Sequence, residues 1–418
     1  MESFVDRQII GGLLGHNALT WAYAPYVHLL AMVVAALVIG GLAMMYAGIV
    51  TWLFRRVAAR IQSRVGCNRV GPIGFLQWLA DAVKLLTKED LIPRDADHVL
   101  FRMAAYFVFA GFLLTFVVLP LSPHLIIADM SIGMFYVVAV TALVVVGLLM
   151  GSWASNSKWS LFGGIRSAAQ IVSYEIPAGL SLLVPVLMAG SLSTQGLISA
   201  QGGIQDGSRL FVGGWPWNWT VFANPMAFVA FFIFMTSLLA EGNRVPFDLP
   251  EAESELVAGY NTEYSGMRFG VFFLVEFGNN YVMGALASIL FLGGWQLPYF
   301  TEAELKASVV LELIAGALFL GKVIAVTCGI IWIGWTMPRI RVDQMMALCW
   351  KYLVPISMVL VVLTAASMWL LKDLSPVLVE WLRILFFVGV GIVPLIYFIR
   401  QTHRNIGLVG DKVDLSNW

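Results

Sequence analysis

The chain has 418 residues, of which 60% are hydrophobic and only 12% charged; its 25 basic and 25 acidic side chains cancel, and its mean hydropathy is +0.84. A charged fraction about half that of an ordinary soluble domain excludes a water-soluble fold. Apolar runs of helical spanning length recur along the whole chain, which also excludes the roughly ten-residue alternating segments of an outer-membrane barrel.

The pattern predicts an all-α polytopic membrane protein. Residues 1–418 form a single membrane domain of about nine transmembrane helices, with amphipathic interfacial helices on the cytoplasmic side. The N-terminus has Glu2 and Asp6 where a signal peptide would be basic, so the first helix is expected to act as an uncleaved insertion signal. The expected spans are Tyr26–Phe54, Leu100–Pro120, Ile132–Trp153, Ala168–Gly190, Val221–Ala240, Met267–Gly294, Val310–Trp335, Leu348–Leu371 and Val379–Ile399. Basic residues gather in alternate loops: nine lie between Arg55 and Arg102, and others are Lys158, Arg166, Arg244, Arg268, Arg339, Arg341 and Lys351. The positive-inside rule then places the N-terminus outside and the C-terminus in the cytoplasm. Three segments stand apart: the amphipathic stretch 55–99, the acidic stretch 241–266, and the helix and tail at 372–418. In the loop Ser191–Ala223, Trp215, Trp217 and Trp219 read as interfacial anchors.

Arg56, Arg60 and Arg64 recur every four residues beside Val57, Ile61 and Val65. On a helix this makes a basic stripe beside an apolar one, as suits a helix lying in the headgroup layer. Gly66, Gly71 and Pro72 break the chain, and a second amphipathic run carries Leu76, Leu79, Val83 and Leu86 on one face. Asp81 lies three residues before Lys84, close enough to pair with it.

Glu175 falls inside an otherwise apolar span. An ionised carboxylate at membrane depth costs on the order of 3 kcal/mol, so it must face protein or water. Proton handling is one reading; a structural hydrogen bond to Gln170 or Tyr174 is the other. The densest stretch, Ala240–Asn280, sets Glu241, Asp248, Glu251, Glu253, Glu255, Glu263 and Glu276 against Arg244 and Arg268 alone. Asp248 and Glu251 fit a helix N-cap beside Pro250. Glu255 lies one turn after Glu251, and if the two are buried together one of them holds a proton at neutral pH. Clustered carboxylates with coupled titrations can move protons when a nearby charge changes; a solvated acidic face is the plainer alternative. Glu312 and Lys322 share one span about 15 Å apart, so Lys322 is expected to need a carboxylate from another helix.

Cys67, Cys328 and Cys349 form no metal-binding spacing, the five histidines make no i,i+4 pair, and no nucleotide-binding glycine motif is present. No cofactor is expected on this chain alone. No internal repeat supports a secondary transporter, in which intramembrane acids also mark ion paths.

Four runs carry a resemblance: NRVGPIGFLQWLADAVKLLTKED, SKWSLFGGIRSAAQIVSYEIP, LAEGNRVPFDLPEAESELVAGYNTEYSG and PRIRVDQMMALCWK. In this order, from about Arg55 to Pro355, they resemble the membrane subunit bordering the quinone chamber of respiratory complex I, called the H subunit in bacteria and subunit 1 in mitochondria. The resemblance implies a non-redox-centre subunit of a proton-pumping NADH:quinone oxidoreductase in the bacterial inner membrane. Quinone would be the substrate, with NADH, FMN and iron–sulfur clusters on partner subunits. The implied partners are the peripheral quinone-site subunits, antiporter-like and small membrane subunits and lipid, with no nucleic acid. Arg60, Arg64, Asp81, Arg244, Arg339, Arg341 and Asp343 would border the quinone passage. Glu175, Glu241, Asp248, Glu251, Glu255, Glu263, Glu276 and Lys322 would form the proton path. Cys67, Phe54, Gly334 and Val342 depart from the family pattern, which has proline, glutamate, arginine and tyrosine there. The equivalent subunit of an energy-converting hydrogenase or F420-dependent complex is the competing assignment, and the complete EAESELVAGYNTEYSG run favours the quinone enzyme.

Overall fold

The computed structural model describes residues 24–202, 213–250 and 253–371, together with Ile396 and Arg400. Seven helices among them are long and apolar enough to cross a membrane. They are α1 (Ala24–Ile61), α3 (His98–Thr115), α4 (Gly133–Ala154), α5 (Lys158–Ala189), α7 (Gly266–Phe291), α8 (Val309–Thr336) and α9 (Val342–Leu370). Between α1 and α3 lies the short α2 (Gln77–Thr87), and between α5 and α7 the apolar but shorter α6 (Pro225–Glu241). Eight of the nine expected spans thus have a helix; Val379–Ile399 lies outside the described residues apart from Ile396.

The boundaries of α1 and α5 differ most from expectation. The first helix does not end at Phe54 with a separate interfacial helix after it: α1 runs unbroken to Ile61. Nothing between Tyr26 and Ile61 breaks a helix, so the Arg56 and Arg60 turns simply extend the span into the polar layer. The chain then turns at Ser63, with φ 53°. Likewise α5 starts at Lys158, ten residues before the expected span, and passes through Pro177 and Pro185 before Gly190 ends it at φ 65°. Its extra turns carry the SKWSLFGGIRSAAQ run, with Ser160, Ser167 and Gln170 buried and Trp159, Phe162 and Ile165 exposed.

Because successive spans alternate, every loop of the Arg55–Arg102, Lys158–Arg166, Arg244–Arg268 and Arg339–Lys351 group emerges at one end of the bundle, the basic end. There α2 lies across α1 and α7 with no residue fully buried. Asp81 holds Arg55 at 2.7 Å and lies 3.6 Å from Lys84. Asp97 caps α3 by accepting from the backbone of Val99 and Leu100.

Without a hydrophobic drive between helices in lipid, close packing holds the bundle. The α3–α4 pair and the central α5 form its middle, with α6 and α9 against α5 and α7 against α1, α3 and α8. Tyr174, Phe112, Phe234, Phe291 and Trp295 are fully buried there. By contrast α8 and α9 turn Val309, Leu313, Trp332, Val362 and Trp369 outward, an apolar surface suited to hydrocarbon. Tyr174 donates to the carbonyl of Met345, and Cys349 to that of Ser173, tying α5 to the first turns of α9.

Candidate site at the basic end

The α6–α7 connection folds into the bundle instead of standing off it. Its anchor is Gln170 on α5, fully buried, whose amide donates to the carbonyls of Ala240 (2.7 Å) and Phe247 (2.8 Å) and reaches Asn243 Oδ1 at 3.2 Å. Further along the connection, Gly259 sits against Gly163 so closely that a Cβ at Gly163 would lie 2.6 Å from the Gly259 Cα. The phenol of Tyr264 donates to the Phe101 carbonyl, and its ring stacks on Phe101 at 4.1 Å. Burial raises its pKa above the usual tyrosine range, against a smaller opposite pull from Arg268.

Held this way, the connection closes one side of a cavity of about 160 Å³ lined chiefly by Phe54, Arg244, Asp248, Glu276, Asn280 and Trp335, with Gly334 in its wall. Arg244 is its centre. Its guanidinium pairs with the Glu276 carboxylate at 2.9 Å, donates to the Glu276 carbonyl at 2.9 Å, and lies over the Phe277 ring at 4.4 Å. Both partners of the ion pair are nearly buried, at 10% and 15% exposure, so the contact matters far more than a surface pair would. Asp248 accepts from Arg339 at 2.9 Å. The cavity therefore presents a paired cation, two carboxylates and aromatic walls to one space.

A second, smaller cavity of about 30 Å³ lies within the helices, where Glu241 meets Thr115, Thr141 and Asn279 among apolar side chains. Glu175 is within electrostatic reach of Glu241. Neither Gln170 nor Tyr174 takes the Glu175 carboxylate, since both are committed elsewhere.

The remaining predicted residues are dispersed. Arg60, Arg64, Arg341 and Asp343 are exposed at the basic end, and Asp81 is half-buried against Arg55. The carboxylate of Glu255 is exposed and pairs with Arg166 on α5 at 2.5 Å. Glu251 lies outside the described residues, and a short helix covers Glu253–Leu256. Glu263 is half-buried in the connection before α7. Among the described residues no carboxylate pairs with Lys322, contrary to expectation. Its ammonium donates to the carbonyls of Leu292 (2.7 Å) and Gly294 (2.8 Å), which follow α7, and lies over the Trp219 ring. Glu312 instead accepts from Ser122 and from the backbone of His124. Among the described residues no group of three or more His, Cys, Asp or Glu side chains is placed to hold a metal ion. Reading for charge passed over Gln170, Asn279, Asn280 and Trp335; the FGNN run was the available signal for the two asparagines.

The family model described as NADH dehydrogenase matches residues 32–365, a range containing both cavities. The chain belongs to the NADH dehydrogenase family. It is 53% identical over 93% of its length, and 94% of the relative's, to the NADH-quinone oxidoreductase H subunit of Anaeromyxobacter dehalogenans. The corresponding H subunit of Chlorobaculum parvum is 47% identical over 74% of this chain and 85% of its own. NADH-quinone oxidoreductase subunit 8 of Rhodothermus marinus is 41% identical over 79% and 95%. The resemblance of the four sequence runs therefore extends over nearly the whole chain.

Proposed function

We propose that this protein is the subunit of a proton-pumping NADH:quinone oxidoreductase that forms the lipid-open quinone passage and the first part of the acidic route from it. In this reading it lies multi-pass in the inner membrane with its basic end in the cytoplasm, and electrons arrive from redox centres on partner subunits. The observation that carries the reading is the 160 Å³ cavity built around Arg244, Glu276 and Asp248 at the basic end. A quinone has a long apolar tail and a small polar head, and needs apolar walls with a few placed polar groups; Phe54, Ile330, Ile331 and Trp335 supply the walls. Reduction of the headgroup takes up two protons with two electrons, and the charge change beside Arg244–Glu276 is passed to carboxylates with little else to hold them, Glu241 and Glu175.

The test is purification of the tagged protein, gently, from its native membrane. NADH-binding, iron–sulfur and antiporter-like partners with inhibitor-sensitive quinone reduction are expected. A nickel-containing hydrogenase partner would move the assignment to the related hydrogenase complexes, and a chain that purifies alone and transports ions in liposomes would overturn it. Within the intact complex, Glu241→Gln is expected to abolish proton translocation, whereas Glu255→Gln, which breaks only an exposed ion pair, has a small effect.

A further inference from the structure

The small cavity contains more chemistry than the acidic residue that draws attention to it. Glu241 stands at the end of α6 and enters the cavity between α3, α4, α5 and α7. Its carboxylate makes no hydrogen bond or ion pair with any described residue, whereas Glu276 on α7 is paired with Arg244. On the opposite wall, Asn279 of α7 lines the same space, and its amide likewise makes no hydrogen bond with a described residue, whereas the adjacent Asn280 donates to its own helix. Thr115 and Thr141 complete the polar lining. Each hydroxyl donates to a carbonyl of its own helix, Phe112 (2.7 Å) and Val138 (2.8 Å), so each presents an oxygen lone pair and no free proton.

The stereochemistry of this set is asymmetric. Asn279 offers both a donor and an acceptor, the two threonines offer acceptors only, and Glu241 offers an acceptor or, when protonated, a donor. The cavity's volume of about 30 Å³ exceeds what one water needs, and a buried water requires two to four polar partners. A water oxygen that accepts from the Asn279 amide can donate one hydrogen to a threonine and the other to Glu241. The rest of the lining, including Val144, Val145 and Ile171, is apolar, so this water has no competing partners.

We propose that Glu241, Asn279, Thr115 and Thr141 enclose a water-binding site, and that Asn279 is a positioning residue holding the water for proton exchange at the Glu241 carboxyl. When the protonated carboxyl gives its proton to the water oxygen, the water returns one of its own to the same carboxylate, so Glu241 exchanges its proton through this water. The water is regenerated and no other reactant is consumed. Asn279 works because it neither titrates nor moves charge; it fixes the oxygen so that its lone pair meets the carboxyl proton.

The inference rests on the role proposed above for Glu241, and the experiment separates the two. The intact complex is prepared with Asn279→Leu, which keeps the volume and removes both hydrogen-bonding groups, and with Asn279→Ser, whose hydroxyl still donates and accepts and which leaves room for a second water. Coupled turnover, protons translocated per electron and the infrared carbonyl stretch that disappears in Glu241→Gln are measured. Asn279→Leu is expected to slow coupled turnover about tenfold and to move the Glu241 band to higher frequency, as a carboxyl that has lost its hydrogen-bond partner does; Asn279→Ser recovers most of both. Unchanged turnover with an unshifted band in Asn279→Leu overturns the water site while a defective Glu241→Gln leaves the proposed function standing. If Glu241→Gln itself pumps normally, the role of Glu241 falls and the inference with it. Should Asn279→Leu fail to assemble, Thr141→Val, nearly isosteric and lacking one acceptor, serves instead: a smaller shift in the same direction supports the site, and none overturns it.

Discussion

Arg244 engages Glu276 twice, once through the carboxylate and once through the main-chain carbonyl, each at 2.9 Å. A residue of the α6–α7 connection is thereby locked to the middle of α7, and the charge that could neutralise the acidic stretch is fixed at one point of the cavity. Removing one partner of such a nearly buried pair leaves an uncompensated charge.

Arg244→Ala is therefore expected to destabilise the subunit by about 3–5 kcal/mol and to lower the yield of assembled complex, measured by native gel and thermal inactivation. Adding Glu276→Gln removes the orphaned charge and should recover part of the loss. Quinone reduction stays low in the double variant, because the cavity has then lost the paired cation Arg244. A double variant no more stable than Arg244→Ala would show that the pair is not what anchors the connection.

Gly334 and Phe54, two of the positions expected to depart from the pattern of the resembled family, line one cavity. A Cβ at Gly334 meets only ordinary contacts, 3.5 Å to the Val245 carbonyl, so Gly334→Arg leaves the backbone in place and sends a long cation into the space beside Arg244. Its Michaelis constant for quinone should rise several-fold. The Phe54 ring lies 5.8 Å from the ring of Trp335, the residue after Gly334; Phe54→Glu combined with Gly334→Arg supplies a counter-charge there and should lie closer to the unaltered enzyme than either single variant. Inhibitor titration of the assembled complex reads the effect directly.

Periodicity and length made the helices legible because an apolar run of spanning length has one stable form in lipid. They did not show where α1 and α5 leave the membrane, since a helix with no breaker continues into water at little cost; the Arg56 and Arg60 turns look alike whether they lie flat or extend a span. The acidic stretch was legible as a cluster but not in its pairings. Arg166 lies 89 residues from Glu255 and Arg339 lies 91 from Asp248, separations that only tertiary packing brings together. Nor does counting charge find Gln170, whose neutral amide organises the connection.

Lys322 gives a sharp contrast between two roles. Its two carbonyl acceptors and the Trp219 ring place it at the turn after α7, where it closes the end of that helix. Lys322→Met leaves both carbonyls without this donor and should cost about 1–3 kcal/mol, seen as faster thermal inactivation, with protons translocated per electron unchanged. A variant of normal stability with impaired pumping would put Lys322 in the proton path instead.

The approach of α5 to the Gly259 turn yields the last test. A methyl group at Gly163 would lie 2.6 Å from the Gly259 Cα and 2.7 Å from the Tyr260 nitrogen, backbone atoms that cannot rotate away. Gly163→Ala must therefore push the turn outward, and Tyr260, whose carbonyl accepts from Ser160 at 3.3 Å, moves with it. Overpacking of this kind costs about 1–3 kcal/mol. Because the turn lies in the connection that carries Arg244 and follows Glu241, its displacement should loosen the coupling of quinone reduction to proton translocation before it abolishes reduction itself. Measuring both rates in proteoliposomes checks the order: reduction lost in proportion to pumping would mean that the Gly163–Gly259 contact supports only the stability of the bundle.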